Sequence, residues 1–261
     1  KGINKDLALR IYTSQLLGKN SEMVLHGGGN TSVKSTIKNL KNNQDVIFVK
    51  GSGKDMANID SDGFAALEIN NLNKLKKYSK IDDYSMINFQ RKFMVDTTNL
   101  NPSVETLLHA FLPYKYVDHT HSNAILSLID QPKPKKICNK VFGKKLAIVP
   151  YIMPGFDLAK LASNIYKKSP DVEGLILLYH GIFTFGNTAK ESYDRMIKYI
   201  SIAENELRKN SKKIQIQKYR ENKISASSLS NIIRKNISND LKDNYEKRIV
   251  YFYKPKFLDE L

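Results

Sequence analysis

Two histidines separated by one residue lie on a short run with the composition of a β-strand. Residues 116–121, Tyr-Val-Asp-His-Thr-His, are rich in β-branched and aromatic side chains, which favours a strand. Side chains two positions apart on a strand project from the same face, so His119 and His121 should stand side by side. Neutral imidazole nitrogen is a good ligand for zinc and similar cations. The run therefore predicts a strand that presents two ligands to one divalent metal.

A third histidine follows another apolar, strand-like run. His180 comes directly after residues 174–179 and precedes a glycine. Three histidines with an open fourth coordination position are typical of a catalytic metal rather than a structural one. Spacing alone leaves two alternatives open, because a hydrogen-bonded core histidine or a surface pair would fit the same pattern.

Length and composition are those of an ordinary globular protein. The chain has 261 residues, of which 41% are hydrophobic and 26% charged, enough for one large core or at most two domains. No apolar stretch approaches the ~18 residues that span a bilayer, and the first residues are polar, so we expect neither a membrane span nor a signal peptide. Cys138 is the single cysteine, which excludes an internal disulfide and favours a reducing cytoplasm.

The net charge of +16 invites a nucleic-acid-binding interpretation. The excess is almost all lysine, whereas specific nucleic-acid contacts favour arginine, and single-strand sites interleave exposed aromatic residues. The densest basic region, residues 208–220, contains one aromatic residue, Tyr219. We therefore expect no nucleic-acid partner, although a positive field would help to attract an anionic, phosphorylated substrate.

The pattern of apolar and turn-forming residues predicts strands and helices that mix without strict alternation. We expect a three-layer α/β/α domain over residues 1–210 with a mainly antiparallel central sheet. Residues 211–261 are predicted as a basic, mostly helical extension that packs on the same domain or on a neighbouring subunit. The predicted strands are 21–26, 31–34, 45–50, 116–121, 146–153, 174–179 and 181–185. The predicted helices are 4–18, 103–112, 122–129, 157–167 and 188–209, with 61–80 partly helical and 81–100 a helix plus a loop.

Glu105 lies on the predicted helix that precedes the two-histidine strand. A carboxylate there could bind the metal, or act as a general base once substrate displaces it. The alternative is a solvated glutamate in the first turn of a helix, where the helix dipole favours negative charge. Glu105 and His109 are four residues apart and could form a metal pair of their own. We interpret His109 as structural, because the strand histidines converge better.

Three short segments have the composition of anion-binding elements. Residues 27–30 (Gly-Gly-Gly-Asn) and 51–53 (Gly-Ser-Gly) let backbone N–H groups approach an anion, and Ser103 is predicted to cap a helix. Each signal is weak alone, and neither glycine loop matches a P-loop or a dinucleotide fingerprint. Together, beside a candidate metal site, they predict a phosphate pocket.

Four motifs in order along the chain give a specific resemblance. They are residues 25–34 (LHGGGNTSVK), 49–53 (VKGSG), 102–109 (PSVETLLH) with 118–121 (DHTH), and 180–186 (HGIFTFG). This series resembles the class II aldolase/adducin family, and most closely the aldolase portion of bifunctional rhamnulose-phosphate aldolase/short-chain dehydrogenase proteins. The resemblance covers roughly residues 4–207, and the last ~50 residues match no motif of the family.

The resemblance implies a site and a metal. Zinc, or another divalent cation, would be held by His119, His121 and His180. Glu105 matches the family's catalytic glutamate, which can also bind the metal when substrate is absent. The substrate phosphate is expected at the positions that match Gly29, Asn30, Ser52, Gly53 and Ser103.

The reaction implied by the resemblance is retro-aldol cleavage of a ketose 1-phosphate, giving dihydroxyacetone phosphate and an aldehyde. Members of the family are commonly cyclic tetramers, so we expect a homo-oligomer, with a tetramer favoured. A tyrosine usually serves as the second acid, and Tyr251 and Tyr253 are candidates by position, although a core or interface role fits them equally.

Two departures from the family pattern bear on the substrate and the size. Val104 stands where fuculose-phosphate aldolases have a second serine, which removes a hydroxyl from the phosphate pocket. No dehydrogenase portion follows, so we expect a free-standing aldolase domain or a fragment.

The same scaffold also hosts sugar-phosphate 4-epimerases, dehydratases and decarboxylases, which share the motifs. A non-catalytic adducin-like interaction module is a further alternative. It predicts lost metal ligands, whereas all three histidines and the glutamate are present here.

Overall fold

A computed structural model describes residues 3–38, 43–210, 225–237, 240–241, 244–245 and 249–251. The chain divides into two compact units, Lys1–Ser211 and Lys212–Leu261.

A seven-stranded sheet forms the centre of the first unit. The strands are β1 (Asn30–Lys38), β2 (Asn43–Lys50), β3 (Phe64–Glu68), β4 (Tyr116–Thr120), β5 (Leu146–Val149), β6 (Gly174–Leu177) and β7 (Gly181–Gly186). Their order is β3-β2-β1-β4-β7-β6-β5, and every neighbouring pair is antiparallel except β5 and β6. The predicted mainly antiparallel sheet is confirmed.

Helices cover both faces of this sheet. They are α1 (Lys5–Gly18), α2 (Ile69–Lys74), α3 (Asp83–Lys92), α4 (Thr106–Phe111), α5 (Asn123–Ile129), α6 (Pro134–Phe142), α7 (Phe156–Lys168) and α8 (Ala189–Asn210). On one face α4 and α7 bury Leu107 and Phe156 against sheet residues such as Phe183. On the other face α1, α5, α6 and α8 bury apolar side chains such as Ile125 and Met196. The predicted α/β/α layering is confirmed.

Strand β4 lies in the middle of the sheet, and all five of its residues are buried. Alternation along the strand sends Val117 and His119 to the α4 side, and Asp118 to the side of α1 and α8. His119 stacks on the Phe183 ring with centroids 4.1 Å apart. The antiparallel register places His119 opposite Asn30 of β1 and opposite Phe183 of β7.

The structure corrects three of the predicted elements. Residues 21–26 form turns rather than a strand, because the Met23 and Val24 N–H groups donate back to the Asn20 carbonyl. Strand β3 lies in the segment predicted as partly helical. Strand β5 ends at Val149, before the predicted end at 153. Helix α6, which buries Cys138, lies in a segment for which the sequence pattern predicted no helix or strand.

The helix predicted from Ser103 begins later. Helix α4 starts at Thr106, and Glu105 is its N-cap residue. The Ser103 hydroxyl accepts instead from the Asn30 amide at 3.1 Å and from the Glu105 N–H at 3.2 Å. Ser103 is therefore an internal linking residue and not the cap of a helix.

The second unit contains helix α9 (Ala226–Ile237) and a two-stranded antiparallel ladder of β8 (Asp240–Leu241) and β9 (Asn244–Tyr245). Tyr251 is exposed, and Tyr253 lies outside the described residues. The packing predicted for the C-terminal extension stays a prediction. In the described part of the chain, no helix has both the length and the apolar character to cross a bilayer.

Candidate metal and active site

The side chains of His119 and His121 lie next to each other, as their spacing on a strand predicted. Their Nε2 atoms lie 2.9 Å apart, and His119 is fully buried. The backbone carbonyl of Ile182 lies 3.0 Å from Nδ1 of His119 and can accept its proton only if Nδ1 carries one. This contact assigns the proton to Nδ1 and leaves the Nε2 lone pair free for a cation.

His180 joins the pair from the turn between β6 and β7. Tyr179 adopts a left-handed conformation (φ 59°) there, and this sharp turn carries His180 over β4. One ligand nitrogen from each of the three histidines falls within a group no wider than 4.8 Å. Gly181 permits this approach, because a Cβ there would lie 2.5 Å from the Thr120 carbonyl oxygen and 3.2 Å from His119 Cε1.

Glu105 reaches the same point from the start of α4. Its Oε2 lies 3.3 Å from Nε2 of His119, and its Oε1 lies 3.4 Å from Nε2 of His180. The carboxylate is 6% exposed, and this burial raises its pKa to about 7, against the opposing effects of the Asn30 hydrogen bond and the Lys50 charge. The structure thus brings all four predicted metal ligands together.

The donor set fits a divalent cation such as zinc. Burial lowers the pKa of each of the three histidines, so each imidazole is neutral and able to donate a lone pair. Two ligands of one tetrahedral zinc are about 3.3 Å apart, close to the separations seen here. Oε1 of Glu105 and Nδ1 of His180 are buried without a hydrogen-bond partner among the described residues. A cation between the histidines would satisfy the carboxylate oxygen.

Asn30 ties Glu105 to the sheet. Its amide nitrogen donates to Oε2 of Glu105 at 2.6 Å, and its amide oxygen lies 2.5 Å from Nε2 of His109. The other ring nitrogen of His109 lies 2.8 Å from the Ser32 hydroxyl. His109 is fully buried, and burial lowers its pKa to about 3, so it is neutral. It lies behind the site and is not a member of the histidine group, in line with its structural interpretation.

The glycine loops meet beside the histidines. Gly29 has φ +60°, and a Cβ there would lie 2.7 Å from the His119 carbonyl oxygen, so the chain requires glycine. Gly53 also has positive φ, +75°, and its carbonyl oxygen would lie 3.0 Å from a Cβ at Gly27. The two loops are therefore packed against each other.

Residues 101–103 form a third segment that lies against the two glycine loops. Gly51 forms a bridge with Pro102, and the Ser52 N–H donates to the Asn101 carbonyl at 2.9 Å. These contacts bring Ser103 beside Asn30, while the Ser52 side chain stays exposed at the edge. The five predicted phosphate positions thus lie on three adjoining segments, and their role in phosphate binding stays a prediction.

Sequence reasoning missed the lysine that links the two loops. Lys50 is 2% exposed, and its Nζ donates to the Gly27 carbonyl at 3.0 Å and to the Gly51 carbonyl at 3.4 Å. The available signal was a lysine directly after the apolar run 46–49 of β2. Val104 is exposed, so its side chain makes no buried contact that would replace the serine hydroxyl missing at this position.

The sequence matches the sequence model of a known protein family. The model of the class II aldolase and adducin N-terminal domain matches residues 9–207. The chain belongs to the class II aldolase and adducin family.

Two relatives share substantial sequence with this chain. An uncharacterized oxidoreductase, YuxG, from Bacillus subtilis (strain 168) is 37% identical over 195 residues, which cover 74% of this chain and 28% of that protein. The match therefore spans less than a third of that relative's length. The N-terminal class II aldolase domain of a conserved protein from Thermoplasma acidophilum is 41% identical, with TM-score 0.73, covering 79% of this chain and 96% of that one.

A more distant structure shares the fold. A sugar-phosphate aldolase from Thermotoga maritima has TM-score 0.57 at 15% identity, covering 76% of this chain and 91% of that one. At this identity the likeness shows the fold alone.

Proposed function

We propose that this protein is a metal-dependent class II aldolase that cleaves a ketose 1-phosphate of the rhamnulose- or fuculose-phosphate type. The products would be dihydroxyacetone phosphate and an aldehyde. The observation that carries the proposal is the convergence of three histidine nitrogens and the Glu105 carboxylate on one point. Family membership supports the reaction class.

His119, His121 and His180 would hold the cation, with zinc favoured by the three imidazole nitrogens. When bound, the cation would supply Lewis-acid polarisation of the substrate carbonyl. The hydrogen bond from His119 to the Ile182 carbonyl would keep Nε2 directed at it.

Glu105 would move the proton at the reacting carbon. In the cleavage direction, the hydroxyl on the carbon that becomes the aldehyde would pass its proton to the acid–base group that serves the aldehyde oxygen, for which Tyr251 and Tyr253 are the candidates, and the adjacent carbon–carbon bond would break. Its electron pair stays with the three-carbon fragment as an enediolate. The Glu105 carboxyl then gives a proton to that carbon, which completes dihydroxyacetone phosphate. Asn30 would hold the carboxyl in place through its amide.

The phosphate would lie against Gly29, Asn30, Ser52, Gly53 and Ser103. Their backbone N–H groups and hydroxyls are donors suited to an oxyanion. We also propose a homo-oligomer, with a tetramer favoured, and a cytoplasmic location suited to the single, buried cysteine. Tyr251 and Tyr253 stay candidates for the acid that serves the aldehyde oxygen.

The test is metal analysis of the purified protein together with product analysis. Rhamnulose 1-phosphate and fuculose 1-phosphate are each supplied before and after chelation, and after metal is restored. We expect about one metal per chain and chelator-sensitive release of dihydroxyacetone phosphate.

Other outcomes would replace the proposal. One isomeric product in place of two fragments would indicate a 4-epimerase, and loss of water or carbon dioxide would indicate a dehydratase or decarboxylase. Absence of metal under every loading condition would favour the adducin-like interaction module.

A further inference from the structure

Two lysines meet at the carboxyl end of α4 without a carboxylate between them. The Nζ of Lys34 on β1 donates to the Leu112 carbonyl, and the Nζ of Lys76 donates to the Phe111 carbonyl at 3.3 Å. In the described part of the chain, neither ammonium forms an ion pair with an aspartate or a glutamate. Partly buried charges are normally paired, because removal from water disfavours them. These two cations on consecutive carbonyls therefore lack a counter-charge.

The amine of Lys34 has the properties of a nucleophile. Desolvation, with repulsion from Lys76, lowers its pKa to about 7, so a large fraction is neutral near neutral pH. Desolvation and a neighbouring cation are the two usual ways in which proteins activate a lysine amine. A neutral amine can donate an N–H to the Leu112 carbonyl and still has a free lone pair.

The side chain of Lys34 also lines a cavity that is open to solvent. The cavity has a volume of about 400 Å³, which is ample for a small uncharged molecule. Two carboxylates share it, and both already have partners. Asp6 pairs with Lys115 at 2.8 Å, and Asp45 accepts from the Thr36 hydroxyl at 2.9 Å. A small electrophile can therefore enter without breaking an ion pair of Lys34.

We propose that Lys34 is a carbamylation site, where its amine takes up carbon dioxide and the Lys76 ammonium pairs with the carbamate that forms. The Nζ lone pair forms a bond to the carbon of carbon dioxide, one carbon–oxygen π pair moves onto oxygen, and a nitrogen proton is released to water. The product is an anion with one N–H left for the Leu112 carbonyl. Two repelling cations thus become an ion pair. This inference is independent of the proposed aldolase function, because both lysines lie at the end of α4 opposite to Glu105.

A purely structural role is the competing explanation, in which the two lysines only satisfy the last carbonyls of α4. That role predicts no covalent change at Lys34. Lys34→Gln removes the amine and keeps a donor for the carbonyl. Lys76→Met removes the counter-charge, and Lys77→Met is its matched control, because Lys77 is the exposed neighbour of Lys76.

The experiment incubates the protein with isotopically labelled bicarbonate, whose hydration equilibrium supplies carbon dioxide. A trialkyloxonium salt then converts carbamates into stable esters, and peptide mass spectrometry gives the labelled fraction of each lysine. We expect Lys34 to be labelled about 10-fold more than Lys38, an exposed lysine on the same strand, because the Lys38 amine is protonated at neutral pH. Lys76→Met should lower the labelling of Lys34 about 10-fold, since it removes both the counter-charge and the repulsion. Lys77→Met should leave it unchanged.

Three labelling results would overturn the inference. They are no label at Lys34, label spread evenly over the exposed lysines, and labelling of Lys34 that is undiminished in Lys76→Met. The first would leave the structural role alone, and the second would indicate unselective chemistry.

Thermal unfolding separates a carbamate from a bicarbonate ion that is merely bound. Bicarbonate is compared with chloride at equal ionic strength for each protein. We expect bicarbonate to raise the unfolding midpoint of wild type and Lys77→Met and to leave that of Lys34→Gln unchanged, because the reaction takes place in the folded state. An equal rise in Lys34→Gln would overturn the inference, since a bound anion would then explain the effect.

Discussion

His109 donates from Nε2 to the amide oxygen of Asn30 across 2.5 Å, and this contact fixes which way the Asn30 amide points. The amide nitrogen of Asn30 is then directed at Glu105, to which it donates at 2.6 Å. An amide oxygen cannot donate, so Nε2 must carry the proton, and Nδ1 accepts from the Ser32 hydroxyl at 2.8 Å. The chain Ser32–His109–Asn30–Glu105 therefore positions the carboxylate from inside the protein.

Replacing His109 should impair the orientation of Glu105 without touching the three histidines that would hold the metal. In His109→Phe the Asn30 oxygen loses its donor, and we expect kcat to fall roughly 10–100-fold with little change in KM. His109→Gln keeps a donor near Nε2 and should recover much of the rate. A loss of bound metal in either variant, measured by elemental analysis, would contradict a purely positioning role. The lost hydrogen bond should lower the free energy of unfolding by about 1–3 kcal/mol.

Glu105→Gln should stop turnover and keep the metal. The amide fits the same space beside Asn30, but it cannot transfer a proton, so we expect the cleavage rate to fall about 10²–10⁴-fold. Glu22→Gln is a matched control, because Glu22 is exposed and distant in sequence. Rates and metal content are measured on the same preparations. A Glu105→Gln enzyme with near-normal rates would remove Glu105 from the chemistry.

Loss of one histidine of the group should abolish stoichiometric metal binding. His180→Ala and His119→Ala each remove one of three nitrogen ligands, and we expect metal affinity to fall by at least 100-fold. His26→Asn provides the control, because His26 is exposed in a left-handed turn that asparagine tolerates. Chelator should lower the unfolding midpoint of wild type and of His26→Asn, and leave that of His180→Ala unchanged. An equal effect of chelator in all three proteins would disprove the assignment.

Local pattern was sufficient for six of the seven strands of the sheet and for the histidine group. Strand β4 could be predicted because a two-residue period and β-branched residues are visible within six positions, and His119 and His121 follow from that period. His180 could be proposed because it directly follows an apolar run. The false strand at residues 21–26 shows the limit, since Met23 and Val24 are buried in a turn that the alternation does not reveal.

Contacts between distant segments could not be read from the sequence. Asn30 and Glu105 are 75 residues apart, and Lys50 and Gly27 are 23 apart. Nothing in their local sequence specifies these pairs, because the sheet order and register create them. The glycine loops were identified, but the cation between them appears only once β2 and the loops are placed together.

Lys34 on β1 should make stability depend on pH. Burial, with repulsion from Lys76, lowers its pKa from 10.5 to about 7. Below pH 7 the folded and unfolded chains both carry the proton, and the charge on this partly buried, desolvated ammonium lowers stability. Between about pH 7 and 10.5 the unfolded chain binds the proton more tightly, so the contribution of Lys34 to stability rises with pH. Lys34→Met should remove this dependence.

The measurement is the difference in the free energy of unfolding between wild type and Lys34→Met across that range. We expect the variant to be more stable at pH 6–7 by on the order of 2 kcal/mol, and the gain to disappear by about pH 10. Lys38→Met, an exposed position on the same strand, should parallel wild type. A gain that is constant with pH would refute the role of the Lys34 charge.

A buried ion pair supports the metal strand from its other face. Nη2 of Arg10 lies 2.5 Å from Oδ1 of Asp118, and both side chains are fully buried. The Ser192 hydroxyl donates to the second carboxylate oxygen, and the Thr13 hydroxyl lies 2.6 Å from Nη2. Asp118 precedes His119, so this pair anchors β4 between α1 and α8.

Asp118→Asn should be more harmful than removal of both charges. The single change leaves a buried guanidinium without a counter-charge, which should cost about 3–5 kcal/mol of unfolding free energy. The double variant Arg10→Met/Asp118→Asn contains neither charge. We expect it to recover at least half of the unfolding free energy that Asp118→Asn loses. Urea denaturation of the two single variants and the double variant measures the coupling. Additive losses would show that the pair contributes no mutual stabilisation, and the strand would then owe its position to apolar packing alone.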